Sequence, residues 1–163
     1  MSRLDSFIRR IVAQKKCLEQ CAAAIGQTKG PVVELGLGNG RTFDHLRELL
    51  PDREIFVFER RPNAHAASTP DAAHLIEGDL ALTLPKAQSL LPARAALLHS
   101  DIGCGDAAID ARTAALIAEN LARVMASRGV VLSDQPLTHA RLEPIALPED
   151  VEEGRYFIYE WSA

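Results

Sequence analysis

A chain of 163 residues with 47% apolar and 25% charged residues has the make-up of one folded domain rather than of a disordered tail. Its net charge of −4 argues against a nucleic-acid partner, which needs a concentrated basic face, and no apolar run approaches the ~18 residues of a membrane-spanning helix. Residues 1–16 are punctuated by Asp5, Arg9, Arg10, Lys15 and Lys16 and lack the apolar centre of a secretory signal, so the expected location is the cytoplasm.

Residues 4–25 read as one helix, with Leu4, Phe7, Ile8, Ile11, Val12, Leu18, Cys21 and Ile25 recurring near a period of 3.6 and Arg and Lys on the other face. Gly26 and Gly30-Pro31 end it. Cys17 and Cys21, four apart on this helix, and Cys104 have no metal-ligand spacing and are expected to be structural thiols. Residues 31–36 form a short apolar run bounded by glycines, as a buried parallel strand should. Helical spacing resumes over residues 41–50, through Phe43, Leu46 and Leu49, and stops at Pro51.

Residues 54–59, rich in β-branched and aromatic side chains, predict a second strand. Residues 64–73 give at best a short helix, interrupted at Pro70, before a third short strand at 74–77. Residues 80–91 are a connector with some helical character, broken by Pro85. A fourth strand spans 95–99, a long Ala-rich helix 109–127 and a fifth strand 129–133. Residues 142–147 and 155–161 predict two final strands around the acidic turn 148–154, an antiparallel hairpin in which Tyr159 and Trp161 pack an edge. Strand–helix alternation through five strands predicts an α/β fold: a doubly wound, Rossmann-like, mostly parallel sheet with a C-terminal antiparallel hairpin. The whole of 1–163 is expected to be a single domain, with the N-terminal helix (1–28) packing on the core or lidding it.

Glu34-Leu35-Gly36-Leu37-Gly38-Asn39-Gly40-Arg41-Thr42 lies between the first strand and the second helix, the context in which a glycine-rich turn approaches a ligand. A dinucleotide fingerprint would read Gly-x-Gly-x-x-Gly and seat a pyrophosphate. Here the third glycine falls one residue early, and Glu34 precedes the first by two. A carboxylate beside the loop suits a cationic ligand carrying an ammonium and a sulfonium. Glu59 ends the second strand about twenty residues beyond the loop, where an acid can accept ribose hydroxyls; it could also be a solvated strand end. Asp79 ends the third strand and could equally cap a turn or helix.

The loop resembles the first motif of the class I S-adenosylmethionine-dependent methyltransferases, acidic-x-Gly-x-Gly-x-Gly, and the likeness extends from about Pro31 to Trp161 in the manner of a compact, stand-alone bacterial-type subfamily. That resemblance implies an S-adenosyl-L-methionine site built from Glu34, Gly36, Gly38, Asn39, Gly40 and Thr42, with Glu59 at the ribose, Asp79 at the adenine, and Arg60 and Leu80 among the cofactor contacts. It also implies that Leu97-Leu98-His99-Ser100-Asp101-Ile102-Gly103 borders the methyl donor, with Ser100 among the cofactor contacts. This segment lacks the Asn/Asp-Pro-Pro-Tyr/Phe form linked to methylation of adenine or glutamine nitrogens, so the expected acceptor is a small molecule or peptide.

Methyl transfer from a sulfonium is an in-line displacement that needs alignment first, and a base only where the acceptor must lose a proton. Asp101 and His99 are the candidate catalytic groups; a packed histidine and a cap of the 103–105 loop are the plainer alternatives. No metal is expected. The alternative is a Mg²⁺ held by Asp101 and Asp134, as the cation-dependent O-methyltransferases would imply, although Gln135 stands where that pattern has Asn. Two other functions remain open from the residues alone: an NAD-binding oxidoreductase and a non-catalytic S-adenosylmethionine-binding scaffold. No long insertion supplies a substrate domain. The acceptor pocket must therefore come from the N-terminal helix, the loops after the fourth and fifth strands, or a partner subunit, which leaves room for a homodimer.

Overall fold

A computed structural model of the chain describes residues 2–163. Helix α1 (Arg3–Ile25) begins where Ser2 and Asp5 form a reciprocal capping box, satisfying two of the orphan N–H groups of the first turn. Its apolar stripe is not buried throughout. Ala13, Cys17, Leu18, Cys21 and Ile25 pack on the sheet, whereas Leu4, Phe7, Ile8 and Val12 stay 46–66% exposed, Ile8 and Val12 because the helix turns them away from that buried seam. Burial raises the Cys17 thiol to about 11, so it sits in the core as a neutral group.

Five strands, β1 (Val32–Leu35), β2 (Ile55–Glu59), β3 (Leu75–Glu77), β4 (Ala95–Ser100) and β5 (Met125–Ser133), run parallel. β6 (Leu142–Ile145) and β7 (Phe157–Ser162) complete a seven-stranded sheet in the order β3-β2-β1-β4-β5-β7-β6. The last strand of the chain is thus not the edge: β7 inserts between β5 and β6, antiparallel to both. Trp161 is wholly buried there, its indole N–H donating to the Ala126 carbonyl at 2.8 Å. The structure is the mostly parallel α/β, Rossmann-like sheet with a C-terminal antiparallel pair that strand–helix alternation predicts.

Strand alternation divides the core in two. Val32, Val57, Leu97 and Val130 face α1 and helix α2 (Arg41–Leu49). Val33, Phe58, Leu98 and Val131 face the other layer: two short helices, α3 (Leu80–Thr83) and α4 (Ala87–Leu90), and the long helix α5 (Ala107–Val124). The connector at 80–91 is therefore two helical turns joined by a 3₁₀ turn through Pro85. Helix α5 lies earlier than its Ala-rich run suggests. Asp106 caps Ala108 and Ile109 at its start, and at its end Met125 already pairs with Ala95, so helix passes into strand without a loop. A bulge absorbs the surplus, since Leu97 next pairs with Val130. Among the described residues no helix is long and apolar enough to cross a membrane.

Candidate functional site

Parallel strands bring their carboxyl ends to one edge, and the loops after β1, β2, β3 and β4 meet there. The turn after β1 is forced through left-handed backbone. At Gly38, φ is +51° and the space a Cβ would enter is empty. At Gly40, φ is +74° and a Cβ would collide with the backbone of Ser68. The two glycines serve different ends: Gly40 lets the loop pack on the 3₁₀ turn Ala66–Ser68, while Gly38 leaves a bare wall beside open space.

That space is a cleft in two parts. One part, about 440 Å³, is bounded by Gly36, Gly38, Asn39, Thr42, His99 and Asp101, with Arg10, Ile11 and Gln14 of α1 over it. The other, about 560 Å³, lies against Arg60, Asp79, Leu80 and the α5 residues Ile109 and Arg112. Gly36, Glu59 and Ile102 belong to both, so the carboxylate at the end of β2 stands at the junction. Two grooves of similar or larger volume lie at the amino ends of the strands around residues 50–54, away from the edge where doubly wound sheets take ligands.

Glu59 accepts from the Leu37 N–H and the Arg61 N–H, both at 2.8 Å. Its partial burial would raise its pKa, but the N–H groups of Arg61, Leu37, Gly38 and Arg60 outweigh that and hold it below the usual carboxylate range. Asp79 is the N-cap of α3, accepting from Ala81 at 2.9 Å, and still borders the second part of the cleft.

Glu34, Gly40 and Ser100 lie behind the wall rather than on it. The Ser100 side chain is fully buried and lines neither part, since alternation turns it from the face that His99 and Asp101 share. Glu34 and His99 are register partners on β1 and β4, so their side chains stand side by side on the α1/α2 face. They are 0% and 1% exposed. Thr42 donates its hydroxyl to Glu34, whose Oε1 faces His99 Nδ1 at 3.5 Å. Glu34 Oε2 and both ring nitrogens have no hydrogen-bond partner among the described residues.

Asp101 is held from three sides. Arg10 approaches it at 3.4 Å, the Gln14 amide donates to it, and the Tyr156 hydroxyl donates at 3.3 Å. Burial and the charge of Asp101 push the Tyr156 phenol well above its ordinary pKa. The cap on the 103–105 loop falls to other residues: Asp110 accepts from Cys104 and Gly105, and Asp134 from Gly103 at 2.9 Å. Burial raises the pKa of Asp134 despite a hydrogen bond from Gln135, and the charge of Asp101 adds to the rise. Among the described residues no group of three or more metal-ligating side chains is arranged around one point.

Sequence reading missed Arg10, Gln14 and Tyr156. One signal for the first two was available. Residues 10, 14, 17 and 21 form one helical seam, and Gln14, only 8% exposed, is a polar side chain placed where the seam calls for an apolar one. Tyr156 carries no such mark, because what places it behind Asp101 is the insertion of β7 beside β5.

A family model described as S-adenosyl-L-methionine methyltransferase matches residues 1–161. The crystal structure of an S-adenosyl-L-methionine methyl transferase from Silicibacter pomeroyi DSS-3 superposes with a TM-score of 0.91 at 42% identity, covering 99% of each chain. More distant structures share the fold alone. The methyltransferase PaMTH1 of Podospora anserina, solved with S-adenosylhomocysteine, gives a TM-score of 0.54 at 17% identity over 100% of this chain and 80% of its own. The sugar N-methyltransferase KedS8 of Streptoalloteichus sp. ATCC 53650 gives 0.53 at 18% over 89% and 61%. No curated protein matches the sequence.

Proposed function

Since the chain belongs to the family of S-adenosyl-L-methionine methyltransferases, we propose that it transfers methyl in line to a small molecule or peptide, with the cofactor laid across both parts of the cleft. The observation that carries this placement is the junction itself: a ligand with a nucleoside at one end and an amino acid at the other would cross the wall shared by Gly36, Glu59 and Ile102. Bound S-adenosylmethionine supplies an electrophilic methyl on a sulfonium. Glu59 would accept from the ribose through lone pairs not used by Leu37 and Arg61. Asp79, Leu80 and Arg60 would border the base, and Gly38, Asn39 and Thr42 the amino-acid end. The family assignment displaces the oxidoreductase and scaffold alternatives: the protein is a methyltransferase with S-adenosylmethionine as donor.

The acceptor would enter beside α1, whose Arg10, Ile11 and Gln14 roof the part of the cleft that His99 borders. Within one domain, α1 then serves as a lid held down through Asp101. A second subunit would pack on the exposed apolar side chains Leu4, Ile8 and Val12 of α1 in a homodimer. A cytoplasmic site of action belongs to the same proposal. The acceptor class is tested with methyl-labelled S-adenosylmethionine and a cell extract separated into low-mass compounds, peptides and nucleic acids. Label is expected in one of the first two fractions; label confined to nucleic acid would overturn it.

A further inference from the structure

We infer that the buried Glu34 and His99, with Thr42 holding the carboxylate, form a relay in which His99 Nε2 takes the proton from the acceptor, so that the acceptor's nucleophile is a hydroxyl or amine rather than an aprotic atom. The inference rests on the placement of the cofactor in the same cleft.

An imidazole at 1% exposure with both nitrogens unpartnered is costly to bury, and so is a carboxylate oxygen left alone beside it. An unpartnered buried ring nitrogen calls for a ligand or a water that completes it. Here the ring borders the part of the cleft that also touches Gly36, Gly38 and Asp101. The carboxylate cannot serve that ligand alone, for Glu34 lies behind the wall with its Oε1 taken up by Thr42 and turned toward His99 Nδ1. A carboxylate facing Nδ1 favours the tautomer with the proton on that nitrogen, which leaves the Nε2 lone pair free. Catalytic hydrogen bonds are often long before the reacting complex forms, and the 3.5 Å gap is of that kind.

Asp101, the other candidate base, is less available: its oxygens already receive Arg10, Gln14 and Tyr156. Its task is to hold α1 over the cleft. In the transfer, a lone pair of the acceptor atom forms the bond to the methyl carbon. The carbon–sulfur pair returns to sulfur, which becomes a neutral thioether. The proton of the acceptor O–H or N–H passes to His99 Nε2 and then to solvent, and Glu34 stabilises the imidazolium in between.

Sinefungin tests this without a known acceptor, because it carries an amino group where the methyl would stand and S-adenosylhomocysteine carries nothing there. The ratio of affinities, sinefungin over S-adenosylhomocysteine, should fall about tenfold or more in His99→Phe, the loss expected when a charged donor loses its acceptor. It should fall less in Glu34→Gln. An unchanged ratio in a His99→Phe protein that still binds S-adenosylhomocysteine would overturn the assignment. Failure of the parent protein to bind S-adenosylhomocysteine would instead overturn the cofactor placement. Should His99→Phe not fold, ¹⁵N-histidine spectra of the parent decide the matter. Nε2 of His99 should read as the unprotonated nitrogen and shift with sinefungin but not with S-adenosylhomocysteine. In Glu34→Gln the tautomers should mix. An Nε2 that carries the proton, or ignores sinefungin, contradicts the relay.

Discussion

A side chain in this cleft acts through what its neighbours leave free. Glu59 is anchored by two N–H groups yet stands where both parts of the cleft meet. Removing it as Glu59→Ala should weaken S-adenosylhomocysteine binding roughly 10- to 150-fold, the equivalent of about 1.5–3 kcal/mol for hydrogen bonds to a charged group. Glu59→Gln should lose less, since the amide oxygen still accepts. Titration calorimetry reads both, and equal affinity in parent and Glu59→Ala would remove Glu59 from the site. The pH dependence has a definite sign. A carboxylate whose folded pKa is depressed gives its full contribution above its unfolded value, so Glu59 supports stability and binding at neutral pH and loses that role only as pH falls below about 4.5. At this scale the sequence was most legible where a residue type is dictated by backbone, as at Gly38 and Gly40, or by a strand end, as at Glu59. The pairing of Glu34 with His99 was not legible. It depends on the register of two strands more than sixty residues apart, which no local pattern encodes.

Among the elements, α1 behaves as two helices in one. Its second half is fixed by Cys17, Leu18, Cys21 and Ile25 in the core, while its first half is tied down mainly at Asp101 and by exposed ion pairs such as Arg9–Glu152 at 3.0 Å. Exposed pairs of that kind contribute about 0–1 kcal/mol each, so the clasp on Asp101 should dominate. Arg10→Ala combined with Gln14→Ala should speed amide hydrogen exchange across residues 3–14 while leaving the later turns protected and the melting temperature nearly unchanged. Equal exchange in both proteins would mean that α1 is held by something other than Asp101. Helical periodicity located α1 to within a residue at its start, but it drew the apolar stripe too wide, taking in Ile8 and Val12, which the helix turns away from the sheet. The same limit applies to the hairpin. The residues of β6 and β7 announce two antiparallel strands, yet nothing local says that the later one lies next to β5.

For the whole molecule, the family model over residues 1–161 and the 42% identical Silicibacter pomeroyi structure agree on a methyltransferase. Asp101 and Asp134 lie close enough for one charge to raise the pKa of the other, but Asp101 is engaged by Arg10 and Asp134 by the Gly103 N–H. Affinity for S-adenosylhomocysteine and the melting temperature should therefore be the same before and after EDTA treatment. A fall in either that added Mg²⁺ reverses would make the two aspartates metal ligands.

The claim on which the rest depends is that the bare wall at Gly38 faces the cofactor. Thermal unfolding with and without S-adenosylhomocysteine, in the parent and in Gly38→Val, tests it most directly. The parent should be stabilised by about 2.7 kcal/mol at a ligand concentration 100 times Kd, roughly 5–11 °C for a chain of this length. Gly38→Val should fold with a lower melting temperature, because a β-branched residue at a φ of +51° costs at least about 1–2 kcal/mol, and should show no ligand-induced rise. A variant that folds and is stabilised as much as the parent would contradict the account.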